Sequence, residues 1–169
     1  SMGYQGGPVS VTVNNNSPSS QTITLSAISG FTVKAEKQET VTPTSGGYFT
    51  NTDIGSAFKV QFPANALGTS SNAATVKTQS NTGMPNSSSG TVLKKNAVTI
   101  SAVDSSGQPI KSLNDNITVV IPYTEADISA LASESALVIG VWNDATSAYD
   151  ILSTTVDTTA NTLTATVSH

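Results

Sequence analysis

A chain of 169 residues with 37% hydrophobic and only 11% charged side chains can bury a real core, as one large all-β domain or two small ones. Seven scattered lysines, no arginine and a net charge of −4 exclude a nucleic-acid footprint, because phosphate recognition needs clustered cationic donors and favours the arginine fork. Cysteine is absent, which excludes disulfides and thiolate metal centres, and no apolar run approaches the roughly 20 residues of a membrane-spanning helix.

Serine and threonine supply roughly 30% of the chain. Thr and Val suit a pleated surface, while Ser, Asn, Gly and Pro suit the turns between strands. Disorder is the rival reading for so polar a chain, but the low net charge and recurrent Val/Ile/Leu alternation oppose it. Residues 1–8 read as an expression scar (Ser1-Met2-Gly3) and a flexible lead, in a piece of a longer protein. Residues 9–40 hold N-terminal strands at Val9–Val13, Gln21–Leu25 and Phe31–Glu36, either a separate unit or an addition to the main domain.

From Val41 to Gly47 the chain turns, and Ala57–Phe62 alternates as a strand that Pro63 ends, since proline cannot donate to a ladder. Further strands are expected at Ala73–Thr78, Asn96–Val103 and Asn116–Pro122, with an exposed mobile loop at Asn81–Gly90. Between Thr124 and Glu134 the period changes. Ile128, Leu131 and Ala132 recur at helical spacing, Thr124 can cap and acids fill the first turn, so a helix of about two to three turns is expected. Strands then follow at Ala136–Asn143, Tyr149–Val156 and Thr162–Val167. About ten short strands with turn chemistry between them predict an all-β fold, an antiparallel β-sandwich with one short helix near 124–134. Its core is expected to comprise Phe58, Val60, Phe62, Val98, Ile100, Val119, Ile121, Val138, Val141 and Ile151.

The stretches TPTSGGYFT…FKVQFPANALG, VTISAVDSSGQPIKSLNDNITVVIPYTE and LVIGVWNDATSAYDILSTTVDTTANTLTATVSH together resemble the ZU-type β-sandwich of ankyrins, netrin receptors and tight-junction proteins, in its divergent bacterial or archaeal surface form. The resemblance covers 41–169, roughly three quarters of the chain. It rests on Gly46-Gly47, the Phe62–Leu67 corner and Thr164–His169. It implies a structural or protein-interaction module. Some relatives self-cleave at a His-Phe-Ser sequence; this chain reaches His169 where that motif would begin, and a catalytic role for His169 would need the motif to continue.

Other chemistry is sparse. His169 is the sole histidine, so a Ser-His-Asp triad would rest on a terminal base. Glu125, Asp127 and Glu134 are the solvated acids of a helix face rather than a pair held across a cleft. Asn143, Asp144 and Asp150 bracket one turn and are candidate calcium ligands, as are Asp104 with Asp115, although Asp and Asn are ordinary turn residues. Trp142, Tyr149 and Tyr123 are candidates for a sugar-stacking platform, against a packing role for Trp142. Lys34, Lys59, Asn96 and Asn116 supply raw material for a self-formed isopeptide crosslink. Sequons stand at Asn15, Asn86 and Asn116.

These observations predict a non-catalytic structural or protein-interaction module of a secreted or cell-surface multidomain protein. Its expected partners are other surface proteins or neighbouring domains, with no membrane insertion by this segment and no cofactor beyond a candidate Ca2+. A polysaccharide partner defines the alternative, a carbohydrate-binding module; a self-cleaving domain is the second.

Overall fold

Alternating β-branched residues become pleated strands through nearly half of the described chain. The computed structural model describes residues 4–5, 26–27, 36–81, 97–129, 133–143 and 145–168. The strands expected at 9–13 and 21–25, all of the strand expected at 31–36 but Glu36, and all of the loop expected at 81–90 but Asn81, which ends a strand, lie outside them. Twelve strands are present among the described residues: β1 Tyr4–Gln5, β2 Ser26–Ala27, β3 Lys37–Val41, β4 Gly47–Thr50, β5 Lys59–Phe62, β6 Ala74–Asn81, β7 Ala97–Val103, β8 Ile117–Pro122, β9 Gly140–Asn143, β10 Ala148–Ile151, β11 Thr154–Asp157 and β12 Thr162–Val167.

All strand pairs are antiparallel. One sheet runs β11-β12-β8-β5-β4 and a second β3-β6-β7, while β9-β10 and β1-β2 form two-stranded ribbons. The first two sheets share one apolar cluster: Phe49, Val60, Phe62, Ile117 and Val119 from the larger sheet meet Val41, Ala74 and Val76 from the smaller. The fold is therefore an all-β, antiparallel sandwich with open sheet edges. Register explains why one face is predominantly apolar. Phe49 lies opposite Val60, Val60 opposite Val119 and Val119 opposite Ala165, a row across four strands. A slip of one residue would turn that row to water, so burial fixes the register. Strand β3 crosses position 40, so part of the N-terminal stretch is hydrogen-bonded into the smaller sheet.

At its other end the larger sheet keeps the same inward face but changes cover. Leu163, Ala165, Ile121 and Val156 pack there against Tyr123, Ile128, Leu137, Ile139 and Leu152. The helix in this cover is shorter than its periodicity predicts: α1 spans Glu125–Ile128, and a separate 3-10 helix spans Glu134–Ala136. Ser133 itself is not helical. Its backbone is extended (φ −161°, ψ 134°) and its hydroxyl accepts the Ser135 N–H, a local bond that competes with the helical ladder. Thr124 is the N-cap as expected, held by Asp127, whose carboxylate accepts the Thr124 N–H at 3.0 Å and Oγ1–H at 2.7 Å.

Two further expectations are corrected here. The strand predicted at Ala136–Asn143 begins only at Gly140, and the one predicted at Tyr149–Val156 is two strands, β10 and β11, broken at Leu152-Ser153. Leu152 N–H donates to the Ile139 carbonyl at 2.9 Å, and Ile139 N–H donates to Thr154 Oγ1 at 2.9 Å. These bonds turn Leu137 and Ile139 inward. Val138 and Ile151, expected in the core, are instead 51% and 62% exposed, and Val141 is half-buried. Phe58, Val60, Phe62 and Val119 are buried as expected, with Val98, Ile100 and Ile121 packed against them.

Candidate functional site

The β9-β10 ribbon carries the aromatic pair. Its turn is built by Asn143, whose Oδ1 accepts the Ala145 N–H at 3.0 Å and the Thr146 N–H at 3.4 Å, while Ser147 takes a left-handed backbone (φ 50°). This register sets Trp142 directly opposite Tyr149. Their ring centroids are 5.0 Å apart at 69°, an edge-to-face contact. Gly140 makes room beside them: a Cβ there would sit 3.2 Å from Tyr149 Cβ and 3.4 Å from Ile151 Cδ1. Both rings are half-buried, and burial raises the Tyr149 hydroxyl above its ordinary range. Rings so crossed offer one face at a time, whereas two coplanar faces make a platform.

Tyr123 lies elsewhere, buried in the cover over the larger sheet. Its Oη donates to Glu134 Oε2 at 3.0 Å. Burial, then the hydrogen bond and charge of Glu134, then the charges of Glu125 and Asp157, push its pKa up to about 12. The folded value exceeds the unfolded value of 10.0, so this interaction favours the folded state fully below pH 10. The contribution is lost as pH rises from there to about 12. An ultraviolet titration of the native protein is expected to show Tyr123 ionising well above the ordinary tyrosine range, and Tyr123→Phe to delete that late step while leaving the others. A late step that survives in Tyr123→Phe would place the raised group at another tyrosine.

The calcium candidates are engaged in turn bonds. Asn143 Nδ2 donates to Asp150 Oδ2 at 2.9 Å and Asn143 Oδ1 is taken by the turn, while Asp144 lies outside the described residues. Asp104 Oδ1 accepts from Ser106 Oγ at 2.6 Å, Ser106 N at 2.8 Å and Gln108 N at 2.9 Å. The Ser106 hydroxyl, followed by the backbone amides of Gln108, Ser106 and Gly107, holds the Asp104 carboxyl below its usual range. Asp115 accepts the Asn116 N–H at 2.7 Å. Among the described residues no three His, Cys, Asp or Glu side chains converge as a metal site.

The remaining candidates are likewise placed by local structure. Glu125 accepts from Asn161 Nδ2 at 3.1 Å, Asp127 caps α1 and Glu134 holds Tyr123. Lys59 lies over the Tyr48 ring at 4.9 Å, and Asn116 is exposed beside Asp115. Lys34, Asn96 and His169 fall outside the described residues. Sequence reasoning missed a different polar group, Asn51, which is 1% exposed at the end of β4. Its only sequence signal is the phase of Phe49-Thr50-Asn51, which puts it on the face that Phe49 buries. No protein-family model, curated protein or solved structure matches the chain. No helix among the described residues is long and apolar enough to cross a membrane.

Proposed function

We propose that this chain is a non-catalytic structural or protein-interaction module of a secreted or cell-surface multidomain protein, in line with its resemblance to ZU-type sandwiches. The observation that supports this reading is the placement of seven of its eleven acids. Asp104, Asp115 and Asp157 hold turns, Asp127 caps a helix, Glu125 ties the cover to the turn before β12, Glu134 holds Tyr123 within the cover, and Asp150 braces the ribbon. Carboxylates distributed one to a turn stabilise the connections of a sandwich; an acid-base pair has to face a common substrate atom. The Ser/Thr-rich, arginine-free and cysteine-free composition supports the extracellular setting.

The experiment compares thermal unfolding in chelator, in calcium and with soluble polysaccharide, together with retention on insoluble polysaccharide. Cooperative unfolding at one temperature throughout, with no retention, is the expected result. Retention that Trp142→Ala or Tyr149→Ala abolishes without unfolding would overturn it in favour of a carbohydrate-binding module using the ribbon pair.

A further inference from the structure

Strands β3 and β4 are consecutive yet belong to opposite sheets, joined by the tight turn at 42–46. Their far ends meet again through side chains. On β3, Lys37, Glu39 and Val41 share one face, and the register sets Lys37 opposite Thr78, Glu39 opposite Val76 and Val41 opposite Ala74, all three partners buried. Lys37 and Glu39 therefore stand on the face of β3 that Val41 buries, at the open end of that face, where their side chains stay 38% and 42% exposed and an apolar pair would ordinarily stand. Lys37 Nζ lies 3.0 Å from the Thr50 carbonyl oxygen, 3.8 Å from Glu39 Oε1 and 6.0 Å from the centroid of the buried Phe49 ring. The next residue along β4 is Asn51. Its Nδ2 donates to Thr78 Oγ1 at 2.9 Å and its Oδ1 accepts the Asp53 N–H at 3.0 Å.

We propose that Lys37 and Asn51 form an intramolecular isopeptide bond, with Glu39 as the proton-transfer group. The Lys37 ammonium gives a proton to the Glu39 carboxylate, and the neutral amine attacks Asn51 Cγ. The Asp53 N–H, already on Oδ1, stabilises the oxyanion that develops there. The Cγ–Nδ2 bond breaks, Glu39 returns the proton to the departing nitrogen, and the second amine proton leaves with it. Lysine ammonium and asparagine amide thus become one secondary amide and one ammonium ion, with no oxidant, reductant or further reactant. The product joins the edge strand of the smaller sheet to the larger sheet at the end remote from the turn. Thr78, opposite Lys37 and bonded to Asn51, is the positioning residue that fixes the two partners.

Intact mass spectrometry of the full chain tests this. The folded protein is expected to weigh about 17 Da less than its sequence, the mass of one ammonia. Trypsin is expected to leave residues 35–59 as one looped peptide, because acylated Lys37 is no longer cut. Lys37→Arg keeps a cation at the site but cannot form the bond, and is expected to restore the full mass in a protein that still folds by circular dichroism. Glu39→Gln is expected to retain both partners and leave most molecules uncrosslinked. A folded wild-type protein at full mass overturns the proposal. So does a deficit that maps to a succinimide within a single uncrosslinked peptide, or to another Lys-Asn pair.

Discussion

Replacing Phe49 by alanine is expected to destabilise the protein by about 3–5 kcal/mol, the range for emptying a fully buried aromatic site. Phe49 is 0% exposed, on the outermost strand of the larger sheet, opposite Val60, which is itself 0% exposed. Its ring bridges the two layers through the cluster that includes Val41 and Val76. The cavity has little means of collapse, because the sheets on either side are held by backbone ladders that a lost side chain does not release. For a chain of this length, 1 kcal/mol moves the thermal midpoint by about 2–4 °C, so a fall of roughly 10 °C is expected. Ile151→Ala and Val138→Ala are the matched comparison. Both are large apolar residues by sequence, both are exposed, and each is expected to change stability by no more than about 0.5 kcal/mol. Urea unfolding of the three variants decides the matter. A costly Ile151→Ala beside a nearly neutral Phe49→Ala would mean that the inward and outward faces have been assigned the wrong way round.

The same contrast shows what the amino-acid pattern carries and where it fails. Lys59–Phe62 and Thr162–Val167 alternate apolar and polar residues between clear breakers, Ile117–Pro122 is a β-branched run closed by proline, and each forms a strand within a residue or two of expectation. Leu137-Val138-Ile139-Gly140-Val141-Trp142 offers apolar residues in both phases. Alternation cannot choose between them, and the choice falls to contacts remote in sequence, the bonds from Ile139 to Leu152 and Thr154. The candidate sites divide in the same way. That Trp142 and Tyr149 meet follows from two strands separated by a turn, and the turn role of Asn143 follows from its residue type. The burial of Tyr123 against Glu134 depends on how residues 133–139 fold back, which a helical reading of 124–134 conceals. Least legible is Lys37-Gln38-Glu39: its charges read as a solvated strand, and only the pairing with β6 shows that Lys37 and Glu39 share the face of Val41, partly exposed at 38% and 42%, with Lys37 Nζ on the Thr50 carbonyl.

Gly46→Ala is the second large effect, and its neighbours separate its causes. Gly46 has φ +66°, and a Cβ built on it would lie 2.3 Å from the Phe62 carbonyl oxygen, 2.7 Å from Pro63 C and 2.8 Å from Ala64 N. All three are backbone atoms, so no rotamer change relieves the overlap. The contact exists because the turn closes on itself, Gly46 N–H donating to Thr42 O at 2.9 Å, and is bonded to the Phe62–Leu67 corner, Asn65 N–H donating to Pro43 O at 2.7 Å. Accommodating a methyl group means breaking one of these or pushing β5 out of register with β4. The left-handed backbone alone costs a non-glycine residue about 1–2 kcal/mol. Gly107 measures that cost in isolation, with φ +83° and nothing within 4 Å of its would-be Cβ. Gly47 measures the reverse case: its Cβ would make an ordinary 3.6 Å contact with Val41 Cγ1, and alanine also lowers the entropy of the unfolded chain. The expected order of midpoints is therefore Gly47→Ala at or near the parent, Gly107→Ala lower by roughly 1–2 kcal/mol equivalent, and Gly46→Ala lowest, by at least about 3 kcal/mol. If Gly46→Ala loses no more than Gly107→Ala, the close approach of the turn to the corner contributes nothing, and Gly46 is needed for its backbone angle alone.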